Sequence, residues 1–100
     1  MPAIKLSVPH KLGAAEAKKR ITKLIGEVRQ QFGDLATDVR ESWDGNIGTF
    51  SFRAMGLTVQ GTLEVQPAEV KVEINLPMAA LPFKGRVEQE ISARAKALLA

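Results

Sequence analysis

The sequence predicts a single α+β domain over residues 1–100, in the order β-α-β-β-β-β-α, with an antiparallel meander sheet and two helices packed on one face. Three observations lead to this prediction: an alternating segment near the N-terminus, two segments with helical periodicity, and three hairpin connections whose registers agree. Alternation with a period of two is typical of a half-buried strand, whereas a 3.6-residue period is typical of an amphipathic helix. A chain of 100 residues is enough for one domain and too short for two.

The first strand is predicted at residues 3–8, where apolar and polar side chains alternate. A helix follows from about Ala14 to Phe32, because apolar side chains recur there at helical spacing and form one stripe. Gly33 stands just past the last residue of this stripe, the position at which a glycine commonly ends a helix.

The middle of the chain predicts three successive hairpins. Asp44-Gly45 is a strong signal for a two-residue turn, Met55-Gly56 indicates a second turn, and residues 66–69 form a four-residue loop. With these turns the large apolar side chains of four strands share one face, and a slip of one residue would destroy that agreement. Gly61 should then leave room for an opposing ring. The predicted pairs are Val39–Phe50, Thr37–Phe52, Glu41–Gly48, Phe52–Val59, Phe50–Gly61, Gly48–Leu63, Val65–Val70, Leu63–Val72 and Gly61–Ile74.

The C-terminal part predicts an apolar connector and a second helix. Residues 76–83 are apolar and broken by Pro77 and Pro82, and the helix runs from about Pro82 or Lys84 to Leu99. Each helix has one apolar stripe, so both should cover the apolar face of the sheet. The first strand should join one edge of the meander, and the sequence leaves open which edge. An exposed edge could pair in a homodimer.

The composition and motifs exclude several classes of function. The chain has no cysteine, so neither a disulfide framework nor a thiolate metal site is available. No segment approaches the ~20 apolar residues that span a bilayer, and no apolar signal peptide is visible, so we expect a cytoplasmic protein. No phosphate loop, nucleophile elbow or metalloprotease motif occurs, so we expect neither an enzyme nor a cofactor.

The net charge of +3 is uneven, because basic residues concentrate in the first third of the chain. A weak electrostatic binder of nucleic acid or another polyanion is therefore one alternative function. Nucleic acid is the less favoured partner, since aromatic side chains are missing from the basic helix face and from the polar face of the sheet. A solvated helix face explains the same charges and is more common. The candidates for a basic patch are Lys18, Lys19, Arg20 and Lys23.

Three single residues are candidate site residues. His10, the only histidine, lies between a strand and a helix, where a hydrogen-bonding role is simpler than catalysis. Glu41 is a carboxylate on the predicted apolar face of the sheet. Trp43, the only tryptophan, either covers the end of the core or is an exposed anchor for a partner. A cavity between sheet and helices that held His10 or Glu41 would instead make the protein a small-ligand carrier.

The apolar connector is a further candidate. Met78, Leu81 and Phe83 could form an exposed patch that contacts a hydrophobic surface or a partner protein. The alternative is a plug that packs on the end of the sheet, as apolar connectors commonly do.

A set of different short motifs is spread along nearly the whole chain. They are His10-Lys11-Leu12-Gly13, Ala17, Phe32-Gly33, Trp43-Asp44-Gly45-Asn46, Phe50-Ser51-Phe52, Gly56, Gly61 with Leu63, Leu76, Leu81, Lys84-Gly85 and Val87 with Ile91. This set resembles the polyhydroxyalkanoic acid system family, small bacterial proteins encoded near the genes for polyester storage granules. The resemblance implies a cytoplasmic accessory or adaptor protein of polyhydroxyalkanoate storage, with the granule surface or a granule protein as its partner. It implies no enzymatic activity and supplies no catalytic residues.

Overall fold

The computed structural model describes residues 3–32, 36–54, 56–76 and 78–100. Gly33, Met55 and Pro77, which the sequence predictions used, lie outside the described residues. The chain order is the predicted one, with one short 3₁₀ helix, here called the 3₁₀ segment, between the last strand and the last helix. The elements are β1 (Ala3–Pro9), α1 (Gly13–Phe32), β2 (Ala36–Asp44), β3 (Ile47–Ala54), β4 (Leu57–Val65), β5 (Glu69–Asn75), the 3₁₀ segment (Met78–Phe83) and α2 (Lys84–Leu99).

The five strands form one antiparallel sheet in the order β1-β5-β4-β3-β2. The first strand therefore joins the edge of the last strand, the point that the sequence left open, and β1 and β2 are the two edges. The predicted registers of the second and third hairpins are confirmed. The confirmed pairs are Phe52–Val59, Phe50–Gly61, Gly48–Leu63, Val65–Val70, Leu63–Val72 and Gly61–Ile74.

The turn of the first hairpin lies one residue later than predicted. Asp44 pairs with Ile47, so the two turn residues are Gly45 and Asn46. Gly45 has a φ of 61°, and Asn46 is not among the residues with positive φ. A positive φ at the first turn position alone fits a type II′ turn, whose first central residue is glycine. The glycine therefore takes the first position of the turn instead of the second.

Because of this shift, each β2 residue near the turn pairs with a β3 residue two positions further along than predicted. A shift of two positions leaves every side chain on its predicted face of the sheet. The predicted pair Glu41–Gly48 is wrong, because Glu41 lies opposite Phe50 and Trp43 lies opposite Gly48. The predicted pair of Val39 with Phe50 is wrong for the same reason.

A β-bulge in β2 accounts for the remaining difference. The register shifts between Thr37 and Arg40, where Asp38 has a φ of 52°. Thr37 consequently pairs with Arg53, and the predicted pair of Thr37 with Phe52 is wrong. Val39 is exposed instead of joining the core. Bulges of this kind are common on edge strands, where they disrupt the ladder that a free edge offers.

Both helices lie on the apolar face of the sheet and run antiparallel to each other. Arg94 of α2 forms an ion pair with Glu27 of α1 at 3.8 Å, and Arg20 donates from Nη1 to the backbone oxygen of Ala100 at 2.7 Å. The buried core draws on both helices and on β1, β3, β4 and β5. Its residues are Ile4, Val8, Ala17, Ile21, Leu24, Ile25, Phe50, Phe52, Leu63, Val65, Val70, Val72, Ile74, Leu76, Ile91, Ala95 and Leu99.

The ring of Phe50 fills the space above Gly61 at the centre of the sheet. A Cβ atom on Gly61 would clash with Cζ of Phe50 and lie 3.0 Å from the backbone oxygen of Glu73. Neither neighbour is the free end of a flexible side chain. The expectation that Gly61 makes room for an opposing ring is therefore confirmed.

We predict that Gly61→Ala lowers the free energy of unfolding by about 1–3 kcal/mol, because the added methyl group overpacks the core. The measurement is urea denaturation followed by circular dichroism. Gly26→Ala is the matched control, since a Cβ atom there meets nothing within 4 Å. In the middle of α1 that change should stabilise the protein by about 0.5–1 kcal/mol. Equal stability of Gly61→Ala and the wild type would contradict the close contact.

Candidate functional site

An exposed apolar surface lies at the end of the sheet where β5 stops. Met78 is 68% exposed and Leu81 is 44% exposed, both within the 3₁₀ segment. Leu76, just before them, is buried and belongs to the core. The third candidate of this group, Phe83, has a side chain that lies outside the described part of the structure. We call Met78 and Leu81 the apolar tip.

The chain around the apolar tip is short and constrained. Asn75, the last residue of β5, is paired with Ala3 of β1. Pro82 lies inside the 3₁₀ segment, where its fixed φ and missing N–H favour a tight turn over a continuous α-helix. This end of the sheet is opposite to the end that holds the β2–β3 and β4–β5 turns. The tip is therefore held between a paired strand and a docked helix.

Two cations begin α2 directly after the apolar tip. Lys84 and Arg86 occupy its first turn, which contains no acidic residue. The positive end of the helix dipole disfavours cations there. The side chain of Arg86 is 82% exposed and only loosely paired, 3.8 Å from Glu90. The sequence analysis named Lys84 only as a motif residue and possible helix start and did not name Arg86, although the missing acidic residue at the helix start is visible in the sequence.

His10 is buried and holds the β1–α1 connection against the β4–β5 turn. The N–H of Leu12 donates to Nδ1 at 3.2 Å, and Nε2 lies 2.9 Å from the backbone oxygen of Gln66. Because Nδ1 accepts, Nε2 carries the proton of the neutral ring and donates to Gln66. The backbone N–H of His10 also donates to the oxygen of Ala68 at 2.9 Å. His10 thus makes the hydrogen bonds expected of a histidine between a strand and a helix.

Trp43, Glu41 and Lys18 form one cluster at the β2–β3 turn. The indole ring is half-buried against the core and lies over Gly48, where a Cβ atom would be 2.7 Å from the ring. Its Nε1 donates to Oε2 of Glu41 at 2.8 Å. Nζ of Lys18 lies 5.1 Å from the ring centroid and donates to the backbone oxygen of Gly45 at 2.6 Å. Two of the predicted site residues therefore contact each other, whereas His10 belongs to a separate set of hydrogen bonds.

The basic residues of α1 are only partly available to a partner. Lys18 is held in the cluster around Trp43, and Arg20 is bound to Glu16 at 3.1 Å and to Ala100. Lys19 and Lys23 are exposed and have no hydrogen-bond or ion-pair partner within the described residues. A polyanion would therefore meet two free ammonium groups on this face of α1.

Residues that the structure describes line at least two open grooves on the polar face of the sheet, which faces away from the helices. The first, of about 320 Å³, crosses β2, β3 and β4 and reaches the end of β5. The second, also of about 320 Å³, lies over β1 and β5 and the adjoining part of β4. The small-ligand hypothesis had placed a cavity on the opposite face, between sheet and helices.

Metal-binding and membrane-spanning features are missing from the described residues. No group of three His, Asp or Glu side chains among them could hold a metal ion. In the same residues, neither helix is long and apolar enough to cross a membrane.

We predict that His10→Ala lowers the free energy of unfolding by about 1–3 kcal/mol, because the carbonyl of Gln66 and the N–H of Leu12 lose their partner. The measurement is thermal or urea unfolding of the full chain. Lys11→Ala, at the exposed neighbouring position, should stay within about 0.5 kcal/mol of the wild type. If both variants unfold alike, the hydrogen bonds of His10 do not stabilise the fold.

Two solved structures resemble this fold at low identity. The crystal structure of TTHA0849 from Thermus thermophilus is 11% identical, with a TM-score of 0.44 and coverage of 98% of this chain and 92% of that chain. The crystal structure of Ara h 8.0201 is 9% identical, with a TM-score of 0.41 and coverage of 98% of this chain and 97% of that chain. Likenesses at this level carry no conclusion about function. A comparison with curated proteins finds no significant match.

A protein family matches almost the whole sequence. The model of the family described as "Putative polyhydroxyalkanoic acid system protein" covers residues 4–99. The match extends from β1 to the last residue of α2 and confirms the resemblance that the motifs indicated. The chain therefore belongs to the polyhydroxyalkanoic acid system family.

Proposed function

We propose that the protein is a non-enzymatic accessory protein of polyhydroxyalkanoate storage that attaches to the surface of the polyester granule through its apolar tip. The observation that carries this proposal is the exposure of Met78, at 68%, on a segment between a buried residue and a packed helix. Membership in the family supplies the polyester context. The proposal includes a cytoplasmic location in a bacterial cell.

The strength expected of this contact follows from the exposed side chains. Full burial of a side chain the size of Met or Leu contributes about 1.5–3 kcal/mol. The exposed parts of Met78 and Leu81 then supply a few kcal/mol in total, enough for weak and reversible attachment. Lys84 and Arg86 would add about 1 kcal/mol each beside a surface that carries anionic groups.

The anchoring of α2 supports a preformed contact. Val87, in the first turn of α2, packs against the core, and Ile91, Ala95 and Leu99 are buried further along, so the start of this helix is held in place beside the tip. A surface held in its binding conformation loses little conformational entropy on association. Most of the free energy gained by burying the apolar side chains of the tip is therefore available for attachment.

The polar candidates support a role without catalysis. Both ring nitrogens of His10 have hydrogen-bond partners, and Glu41 accepts a hydrogen bond from Trp43. A general base needs to reach a nucleophile or a substrate proton. In the described structure these side chains instead contact their own fold.

The test is co-sedimentation of the purified protein with granules, either native or stripped of protein, at low and high salt. Wild-type protein should bind stripped granules at both salt concentrations, because apolar contacts are not screened. The double variant Met78→Ser/Leu81→Ser should bind at least tenfold more weakly, since it loses the apolar area of the tip. Ile47→Ser is the matched control: Ile47 is 47% exposed and lies at the opposite end of the sheet.

Three outcomes contradict direct attachment through the tip. The first is the absence of binding to either kind of granule. The second is binding to native granules alone, which would identify a granule protein as the partner. The third is equal binding by the double variant and Ile47→Ser, which would place the contact elsewhere on the surface.

A further inference from the structure

The first groove on the polar face contains a row of hydrogen-bonding side chains that crosses four strands. Arg40 lies opposite Ser51, Ser51 opposite Gln60, and Gln60 opposite Asn75, so all four point to the same side of the sheet. Neighbouring strands are ~4.8 Å apart, which gives positions in this row a regular spacing of that size. The groove of about 320 Å³ follows this row and is also lined by Ser42 and Thr62.

The donors of this row are available to a ligand. Within the described residues, the side chains of Arg40, Ser51, Gln60 and Asn75 have no hydrogen-bond or ion-pair partner. Arginine, serine and the two amides all carry N–H or O–H donors. Ester groups have acceptors and no donors. A chain of ester groups is therefore complementary to this row.

The charge of the groove indicates how such a chain would be oriented. Arg40, at the β2 end of the row, is the one cationic side chain among the described lining residues. Glu41 also lines the groove, but its side chain lies on the other face of the sheet, as that of its partner Phe50 does, and accepts the indole N–H of Trp43 there. A guanidinium group favours a carboxylate, which it can bind through two parallel hydrogen bonds. A ligand with one terminal carboxylate would thus place that end at Arg40.

The neighbouring groove over β1 and β5 lacks this pattern. Its charged lining side chains are two lysines, Lys5 and Lys71, and two glutamates, Glu64 and Glu73. Each lysine lies opposite a glutamate, Lys5 opposite Glu73 and Lys71 opposite Glu64, and this neighbouring negative charge weakens its attraction for a ligand carboxylate. The first groove is therefore the better site for an ester chain with one acidic end.

The spacing of the row selects one class of ester chain. An extended polypeptide covers ~3.3–3.6 Å for each repeat of three backbone atoms, so four such atoms cover ~4.4–4.8 Å. Polyesters of 3-hydroxy acids repeat every four backbone atoms, which matches the ~4.8 Å between strands. Polyesters of 2-hydroxy acids repeat every three backbone atoms, or ~3.3–3.6 Å. Their successive carbonyls therefore cannot all lie opposite successive strands, which are ~4.8 Å apart.

We propose that this groove binds short oligomers of 3-hydroxyalkanoic acids, with the terminal carboxylate at Arg40 and successive ester carbonyls at Ser51 and Gln60, so that in a trimer the terminal hydroxyl lies at Asn75. This inference rests on the proposed function for its polyester context and concerns a different surface from the apolar tip. The protein would then hold a polyester end or fragment on its sheet while the tip contacts the granule.

The test is an NMR titration of ¹⁵N-labelled full-length protein with the linear trimer of 3-hydroxybutyric acid. Resonances of Arg40, Ser51, Gln60 and Asn75 should shift together. The Arg40→Gln variant should bind about tenfold more weakly, because a hydrogen bond to a charged group is lost. The methyl ester of the trimer, which lacks the carboxylate, should show a similar loss with wild-type protein. Arg53→Gln is the matched control, since Arg53 is exposed on the same face of β3 and does not line the groove.

Four results would overturn the inference. The first is the absence of shifts on the polar face, and the second is equal affinity of Arg40→Gln and Arg53→Gln for the trimer. The third is that the linear trimer of lactic acid binds as tightly as the trimer of 3-hydroxybutyric acid. The fourth is that acetate binds as tightly as that trimer, which would mean an adventitious anion only.

The two proposals fail separately. Met78→Ser/Leu81→Ser should bind the trimer like the wild type, and Arg40→Gln should still sediment with stripped granules. Trimer binding without sedimentation counts against the apolar tip, and sedimentation without trimer binding counts against the groove.

Discussion

The contact between Phe50 and Gly61 at the centre of the sheet is the constraint on which the rest of the structure depends. Gly61 has no side chain, so the ring of Phe50 packs directly over the backbone of β4. The same row continues through Ile74 to Ile4, both buried, and so joins β3, β4, β5 and β1 in one register. A shift of any of these strands by one residue would move its apolar side chains to the solvent-exposed face of the sheet. The two faces of the sheet, apolar toward the helices and polar toward solvent, follow from this register.

The two ends of the sheet differ in how they are closed. At one end, polar contacts join elements that are distant in sequence: His10 reaches Gln66, and Lys18 reaches Gly45 beside Trp43. At the other end, the chain passes from β5 into α2 through a short segment that leaves apolar side chains exposed. Hydrogen bonds and packing at the first end stabilise the fold, whereas the exposed side chains at the second end remain available to a surface. The proposed attachment site and the proposed oligoester groove therefore lie on parts of the protein that the core does not need.

Much of the fold could be predicted because local signals agreed with one another. The glycines and the loop at the second and third hairpins give registers that all place large apolar residues on one face, and both registers are confirmed. The first hairpin could not be predicted correctly in the same way. Asp44-Gly45 fits one turn type and Gly45-Asn46 another, and both leave the same face apolar, so alternation cannot distinguish them. The bulge in β2 depends on strain and pairing at an edge strand, for which the sequence pattern contains no clear signal.

The sequence by itself determined the order of the elements and the two faces of the sheet, because these follow from periodicity and turn residues. It also indicated the family, through motifs along the chain, and the residues of the apolar connector that could contact a surface. Only the tertiary structure decided which edge β1 joins, which partners His10 and Trp43 have, and that Lys18 and Arg20 are already bound. Such contacts join residues far apart in the sequence, and their geometry depends on how whole elements pack. The row of donors that begins at Arg40 is of the same kind, since it exists only where four strands lie side by side.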